Sequence, residues 1–304
     1  MTVLVTGANG NLGRALFQQL GDPARFRAGV RSDRAAAQIH ALDASVRPET
    51  VLVDYSDRAS MAQAAAGCDA VVHLVGIIKQ AANTRYEVAH EQSCQVLTEA
   101  AADAGVKRIV YLSIVGSTPD SNNACLASKG RAERILQSGP VPATVLRVPM
   151  VLGRGDYAVA ALRGQASGAR AVLVGGGKTL QQPIDARDVV RAIRAASDDA
   201  SDPSLSLDLG GPECLSHREL VGRAAAVLGR TAPAVVSVPL GAARLFAAVA
   251  ERLLANPPIT VAMLGVLQHD DRIETGPACQ RLGIELTSLN ETLAHCLRDP
   301  QETA

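Results

Sequence analysis

Three glycines near the start of the chain carry the first chemical signal. Gly7, Gly10 and Gly13 stand in Thr6-Gly7-Ala8-Asn9-Gly10-Asn11-Leu12-Gly13, between a short apolar run (Val3, Leu4, Val5) and a pattern with Leu12, Leu16, Phe17 and Leu20 on one helical face. This reads as a buried strand, a tight turn and a helix whose N-terminus is bare. Unpaired N–H groups and the positive end of a helix dipole bind phosphate or pyrophosphate. Gly7 permits the turn, Gly10 lets the backbone approach the ligand, and Gly13 lets the helix lie close to the strand. The spacing is G-x-x-G-x-x-G, not the commoner G-x-G-x-x-G, so the turn alone points to a phosphate and needs support from the rest of the chain.

That support comes from residues at later strand ends. Arg31, with Arg34 a short step beyond, follows Phe26-Arg27-Ala28-Gly29-Val30. In a nucleotide-binding βαβ unit this end faces the adenosine ribose, where arginine suits a 2′-phosphate and a carboxylate suits a free hydroxyl. The reading favours NADP(H), with NAD(H) left open; otherwise both arginines are solvated charges opening a helix capped by Ser32 or Asp33. Asp54 ends Val51-Leu52-Val53, with Tyr55 beside it among the cofactor-binding candidates. It is placed either to accept from the adenine amino group or to cap a helix from about Arg58 to Ala66. Val75-Gly76 closes a fourth apolar run, where Gly76 would admit the cofactor backbone; His73, inside that run, reads as a hydrogen-bonded core histidine.

The elements that must position these residues alternate. Further strands are expected at Arg108–Leu112, Ala143–Val148 and Leu205–Gly211, with helices over about Arg85–Ala104 and from near Ala124. Strand and helix in turn, with short connections, argue an α/β fold with a doubly wound parallel sheet. Residues 1–150 read as the dinucleotide-binding core. Residues 151–304 hold its remaining elements, about 184–211, interleaved with a smaller, mostly helical substrate-side lobe built from C-terminal segments. Gly177-Lys178-Thr179 is not a P-loop, because Val172 stands where the first glycine is required. The segment Leu240 to Leu254, with Leu245, Phe246, Val249 and Leu253 at helical spacing, is expected to cover the lobe; a partner or a membrane surface is the alternative.

Composition narrows the function. The 304 residues are 47% hydrophobic but 2% aromatic, so Ala, Leu and Val must build the core. Thirty basic residues balance thirty acidic ones, which gives no electrostatic case for nucleic acid. The six cysteines lack metal-ligand spacing and read as reduced thiols, so no metal is expected. No secretory signal and no membrane-spanning run are read, so the chain is expected in the cytoplasm, with any membrane association peripheral.

Taken in order, the glycine turn, Asp54, His73-Leu74-Val75-Gly76, Tyr111-Leu112-Ser113, Ser128-Lys129, Leu146-Arg147-Val148-Pro149 and Asp208-Leu209-Gly210-Gly211-Pro212 resemble the extended and atypical short-chain dehydrogenase/reductase superfamily. His73 to Ile78, Gln182 to Val189 and Pro257 to Asp270 further resemble bacterial relatives of the nucleotide-binding accessory subunit of respiratory complex I. The resemblance implies a Rossmann sheet and a bound dinucleotide. It extends the cofactor-binding set from Gly7, Asn9, Gly10, Asn11, Leu12 and Gly13 to Val75, Gly76, Lys129 and Pro149. It also implies an accessory or redox-sensing protein partnered with a membrane-bound respiratory or quinone-related complex, at the inner face of the membrane. The alternative is an active NAD(P)-dependent oxidoreductase or epimerase of a small or lipid-like carbonyl compound.

The family's reductases place a tyrosine four residues before the lysine as the acid or base, and a serine on the preceding strand end. Here Ser113 and Lys129 match, so the catalytic candidates are Ser113, Cys125 and Lys129, but the tyrosine position is Cys125. A nearby ammonium and a helix N-terminus would favour its thiolate, which cannot donate a proton. The other reading makes Cys125 a small half-buried residue without chemistry. Tyr86 and Tyr157 are candidates to stand in for the phenol.

Overall fold

The computed structural model describes residues 1–81, 84–199 and 203–298. The chain divides into two compact units, Met1–Arg147 with Val190–Leu207, and Val148–Val189 with the chain from Asp208 onward.

The first unit is built on seven strands: β1 (Val3–Thr6), β2 (Phe26–Val30), β3 (Glu49–Leu52), β4 (Ala70–His73), β5 (Arg108–Ile114), β6 (Ala143–Val148) and β7 (Leu205–Asp208). Their order across the sheet is β3-β2-β1-β4-β5-β6-β7. The doubly wound Rossmann arrangement expected from the sequence is therefore present. Every residue of β1 and β4 is buried, as strands covered on both faces must be. Register sets what reaches the sheet edge. Thr6 lies opposite Gly29 and His73, His73 opposite Tyr111, and Val30 opposite Leu52, so the next residues of four strands emerge together. The chain winds outward from β1 to β3 and then returns to β4 on the other side. This reversal between β1 and β4 opens a crevice outside the strand ends.

Five helices connect these strands: α1 (Asn11–Leu20), α2 (Asp33–His40), α3 (Arg58–Ala65), α4 (Ser93–Asp103) and α5 (Ala124–Gln137). Ser32 caps α2, accepting from the Ala35 amide at 3.3 Å. The cap of α3 is Asp57, accepting from the Ser60 amide at 2.7 Å, and not Asp54. The expected helix from Arg85 begins instead as a π-helical turn, Glu87–Gln92, before α4. There the Ser93 hydroxyl donates back to the Ala89 carbonyl at 2.8 Å, a local bond that competes with the regular ladder and that apolar periodicity does not reveal.

The second unit has its own core, in which Leu162, Leu173, Leu220, Leu289 and Leu293 are buried together. Its helices are α6 (Tyr157–Ser167), the first turn of α7 (Ala186–Asp198, which belongs to the first unit from Val190), α8 (His217–Val227), α9 (Leu240–Leu253), α10 (Val261–Leu267), α11 (Gly276–Leu282) and α12 (Leu289–Leu297). Ser216 and Glu219 form a reciprocal capping box on α8. One strand interrupts the expected helical tail: Ala234–Val238 pairs in parallel with Arg170–Val174. Three valines in five residues, between Pro233 and Pro239, favour an extended segment. The tail's last residues, 299–304, lie outside the described residues.

Candidate functional site

A cleft of about 790 Å³ lies in the first unit at the crevice between β1 and β4. Of the residues singled out from sequence, Gly7, Asn9, Gly10, Arg31, Asp54, Tyr55, Val75 and Gly76 line it. Gly7 has a φ of +71°, and a side chain there would meet the backbone of Leu74 and Val75 at 3.0 Å. Gly10 is the N-cap of α1; no side chain caps that helix end, and its first turn holds no acid. Gly13 is buried, and a Cβ would lie 2.4 Å from the Ala8 carbonyl oxygen, so this glycine lets the helix lie against the turn.

Arg31 and Arg85 supply two cations to the lining. The Asp54 carboxylate accepts from the Ser56 amide at 2.9 Å and from the Ser56 hydroxyl at 2.6 Å, bonds that hold its carboxyl below the usual range. Tyr55 ties two strand ends together: its hydroxyl donates to the Gly29 carbonyl at 2.9 Å and accepts from the Gly7 amide at 3.0 Å. A bare helix N-terminus, glycines where side chains would collide, and two cations fit a dinucleotide.

Asn11, Leu12, Gly13, Arg34, Ser113, Cys125 and Lys129 are not among the lining residues, and Pro149 belongs to the second unit. Thr84, Arg85, Val88 and Gln92 line the cleft but were not assigned to it from sequence. Arg85 and Val88 follow Gly76 within a dozen residues, so tracing the chain onward from Gly76 would have been the one available signal.

Behind the Gly76 wall is a buried cluster. The Lys129 ammonium donates to the Leu112 carbonyl at 2.9 Å and stands 4.4 Å from the centre of the Tyr111 ring. A Cβ at Gly76 would come within 3.0 Å of Lys129 Nζ, so the missing side chain makes room for the cation. Burial lowers the Lys129 pKa to about 8. Cys125 is fully buried and its thiol lies 3.7 Å from the Ile77 carbonyl oxygen. Burial pushes that thiol up to about 11, against the opposing effects of Lys129 and of a hydrogen bond with Tyr86. The expectation of a thiolate is thus corrected, because desolvation outweighs the neighbouring cation. The Tyr86 hydroxyl also donates to the Ile78 carbonyl at 2.8 Å. Tyr157, in contrast, is 73% exposed and lies in the second unit. The Ser113 hydroxyl donates to buried Glu133, whose other oxygen holds Arg147 at 2.5 Å.

His73 is a buried core histidine, as its place in the strand suggested, with Nδ1 2.7 Å from Thr6 Oγ1 and Nε2 3.3 Å from Ser93 Oγ. His90 accepts from the Ile77 amide at 3.1 Å. Burial, aided by Lys129, lowers both to about 3. An unfolded chain protonates these rings below its ordinary value of about 6.5 while the folded chain does not, so stability is complete above that pH and falls toward pH 3. Each ring contributes a slope on the order of 1.4 kcal/mol per pH unit at most within that window. Urea unfolding at successive pH values should show a steep acid decline, and His73→Leu should flatten it; an unchanged slope would contradict the assignment.

A family model described as NAD(P)H-binding matches residues 7–170. The chain is 28% identical over 263 residues to the mitochondrial NADH dehydrogenase [ubiquinone] 1 alpha subcomplex subunit 9 of Arabidopsis thaliana, covering 84% of this chain and 64% of that protein. It is 29% identical over 155 residues to the ceramide reductase of Caulobacter vibrioides, covering 51% of this chain and 47% of the reductase. The chain thus spans less than two thirds of the length of these curated relatives. Among solved structures, the NADPH-dependent quinone oxidoreductase QOR2 of Escherichia coli, complexed with NADPH, shares the fold. Its TM-score is 0.73 at 19% identity, covering 97% of this chain and 99% of the other. The resemblance to the complex I accessory subunit read from sequence is borne out by the plant relative.

Proposed function

Because this chain belongs to the NAD(P)H-binding family matched over residues 7–170, we propose that it is an NADP(H)-binding, atypical short-chain-dehydrogenase-type protein that has lost the usual tyrosine mechanism. In this reading it is a cofactor-binding accessory or redox-sensing component of electron transfer or quinone metabolism. One observation carries the reading: at the position of the family tyrosine stands Cys125, fully buried, absent from the cleft lining and turned to the Ile77 carbonyl, and Lys129 behind it is committed to the Leu112 carbonyl. A thiol that does not reach the cleft cannot pass a proton to an alkoxide developing there as the family's tyrosine does.

Gly7, Gly10 and Gly13 would hold the pyrophosphate, with Asn9, Asn11 and Leu12 supplying the intervening backbone. Arg31 would meet the 2′-phosphate, with Arg34 on the adjacent helix adding to the local field. Asp54 and Tyr55 would border the adenosine, Val75 and Gly76 the middle of the dinucleotide, and Lys129 would act through the Gly76 gap toward the nicotinamide ribose. The nicotinamide, when bound, supplies hydride chemistry; the chain's own residues bind and orient it.

The plant subunit's name supports a partner in a respiratory complex; in this reading that partner is membrane-bound or quinone-related and the chain is cytoplasmic, peripheral at the inner face of the membrane. Among the described residues no helix is long and apolar enough to cross a membrane. The direct test is to denature the purified protein and identify the released nucleotide by mass. NADP(H) is the expected result; release of NAD(H) would overturn the 2′-phosphate reading, and absence of any dinucleotide after loading would overturn the whole proposal.

A second reading, an active oxidoreductase or epimerase, has one observation in its favour: the Tyr86 phenol sits in hydrogen-bonding range of Cys125. A phenol arriving from the loop after β4 could replace the missing one, and the ceramide reductase relative agrees with such an activity. NADPH oxidation with quinones, enones and nucleotide sugars separates the two. Under the accessory reading the wild-type chain binds cofactor without turnover. The Cys125→Tyr variant should then gain measurable turnover, because Ser113 and Lys129 are already at the matching positions. Turnover by the wild type that disappears in Tyr86→Phe would instead establish the second reading.

A further inference from the structure

Helix α9 carries its large apolar side chains on the outside. Its buried residues are Ala247 and Ala250, whereas Leu245, Phe246, Val249 and Leu253 are 67%, 61%, 47% and 76% exposed. At about 100° per residue these four side chains, with Ala242 among them, occupy one continuous arc of the helix beside the alanine face. Leu254 and Val261, at 50% and 39% exposed, extend the apolar surface to the start of α10. A helix packed only to cover a core would turn leucine and phenylalanine inward and leave alanine outside. The sequence expectation that this segment simply covers the lobe is therefore reversed for its largest side chains.

The charges on the same helix identify the occupant. Arg252 borders the exposed apolar arc beside Leu245, Arg244 lies farther round on the polar side, and no ion pair involves either among the described residues. The one acid of the helix, Glu251, is engaged: its carboxylate accepts from the amide of Val261, the first residue of α10, at 2.9 Å. What faces outward is thus an apolar ridge with two guanidinium groups on its polar side, Arg252 at the border and Arg244 reaching toward it along its long side chain. Packing this ridge against a second copy of itself would set arginines near arginines with no acid to pair them. An anionic lipid surface instead supplies acyl chains for the ridge and phosphates for the arginines.

We propose that α9 lies in the plane of an anionic membrane, with Leu245, Phe246, Val249 and Leu253 in the boundary between headgroups and acyl chains and Arg244 and Arg252 at the lipid phosphates. This inference is independent of which nucleotide the cleft holds, and it describes a helix lying on a membrane, not one crossing it. The test is sedimentation of the full chain with vesicles of phosphatidylcholine alone and of phosphatidylcholine with phosphatidylglycerol at about 7:3. Binding is expected to the mixed vesicles and to weaken with added salt.

The double variant Phe246→Asp/Leu253→Asp should lose at least roughly 10-fold in partitioning, since it places charge at the inserted face. Arg244→Ala/Arg252→Ala should lose roughly 10- to 30-fold on the mixed vesicles and erase the difference between the two compositions. All four positions are exposed, and an unchanged melting temperature with retained NADPH binding confirms that each variant is folded. The proposal is overturned if the wild type stays in the supernatant with both vesicles or if the apolar double variant sediments like the wild type. It is also overturned if the chain forms a concentration-dependent dimer that the apolar double variant dissociates, since the ridge would then belong to a second copy.

Discussion

Arg31→Glu is expected to lower the affinity for NADPH by roughly 10- to 100-fold while changing that for NADH by no more than about threefold, the loss expected when a charge-assisted bond to phosphate is removed. The argument rests on position and on sign. Arg31 follows the last residue of β2, lines the cleft, and is close enough to Tyr55 to act on its phenol electrostatically. A 2′-phosphate is the feature that separates the two nucleotides, so a charge that faces it must discriminate between them. Glutamate would replace attraction with repulsion toward the phosphate and could accept from a free 2′-hydroxyl. Fluorescence titration of both nucleotides against both proteins gives the four constants required. Equal losses would assign Arg31 to general attraction of polyanions and leave Arg85, on the loop after β4, as the cation to test next.

Gly13→Ala should remove most nucleotide binding and lower the melting temperature by several degrees. Helix propensity alone predicts the opposite, since alanine is favoured over glycine inside a helix by about 1 kcal/mol. The sign is decided by what the new methyl group would touch. It would stand 2.4 Å from the Ala8 carbonyl oxygen, 2.8 Å from its carbon and 2.9 Å from its Cα, all backbone atoms of the glycine turn. None can rotate away as a side chain does, so α1 and the turn must separate by about 1 Å, and overpacking of this kind typically costs about 1–3 kcal/mol. Displacing the turn also moves the amides that would meet the pyrophosphate, so an affinity loss of at least about tenfold is expected.

Gly164→Ala is the matched control. It lies inside α6 with nothing within 4 Å of the new methyl, and there the propensity gain should appear as a stabilisation of about 1 kcal/mol. If Gly13→Ala melted and bound NADPH like the wild type, the close approach of α1 to the turn would not be a requirement of the site.

The parts of this protein written in its sequence are those fixed by short-range chemistry. Phe26–Val30 forms a strand over the bounds its apolar run suggests, Asn123 caps α5 beside the expected start at Ala124, and Ser216 with Glu219 caps α8, because period, caps and turns act within a few residues. The glycine turn, Arg31, Asp54, Tyr55 and Gly76 could be anticipated at one cleft because parallel strands of similar length deliver their ends to one edge. Two features of the site depended on distant parts of the chain. Cys125 has a lysine four residues away and a helix N-terminus beside it, which in isolation predicts a thiolate; burial among side chains remote in sequence keeps it protonated. Tyr86 meets Cys125 across 39 positions, a distance no spacing rule spans.

Helix α9 makes the same point at the surface. Its sequence determines that one arc is rich in leucine and phenylalanine and another in alanine, but amphipathic spacing carries no record of which arc finds a partner. The tertiary structure buried the alanines, because their small side chains let the helix approach its neighbours closely, and left Leu245, Phe246, Val249 and Leu253 facing outward. Sequence thus determined the elements, their order and the chemistry at the strand ends. Tertiary structure decided ionisation and exposure, since both depend on desolvation by residues far away along the chain.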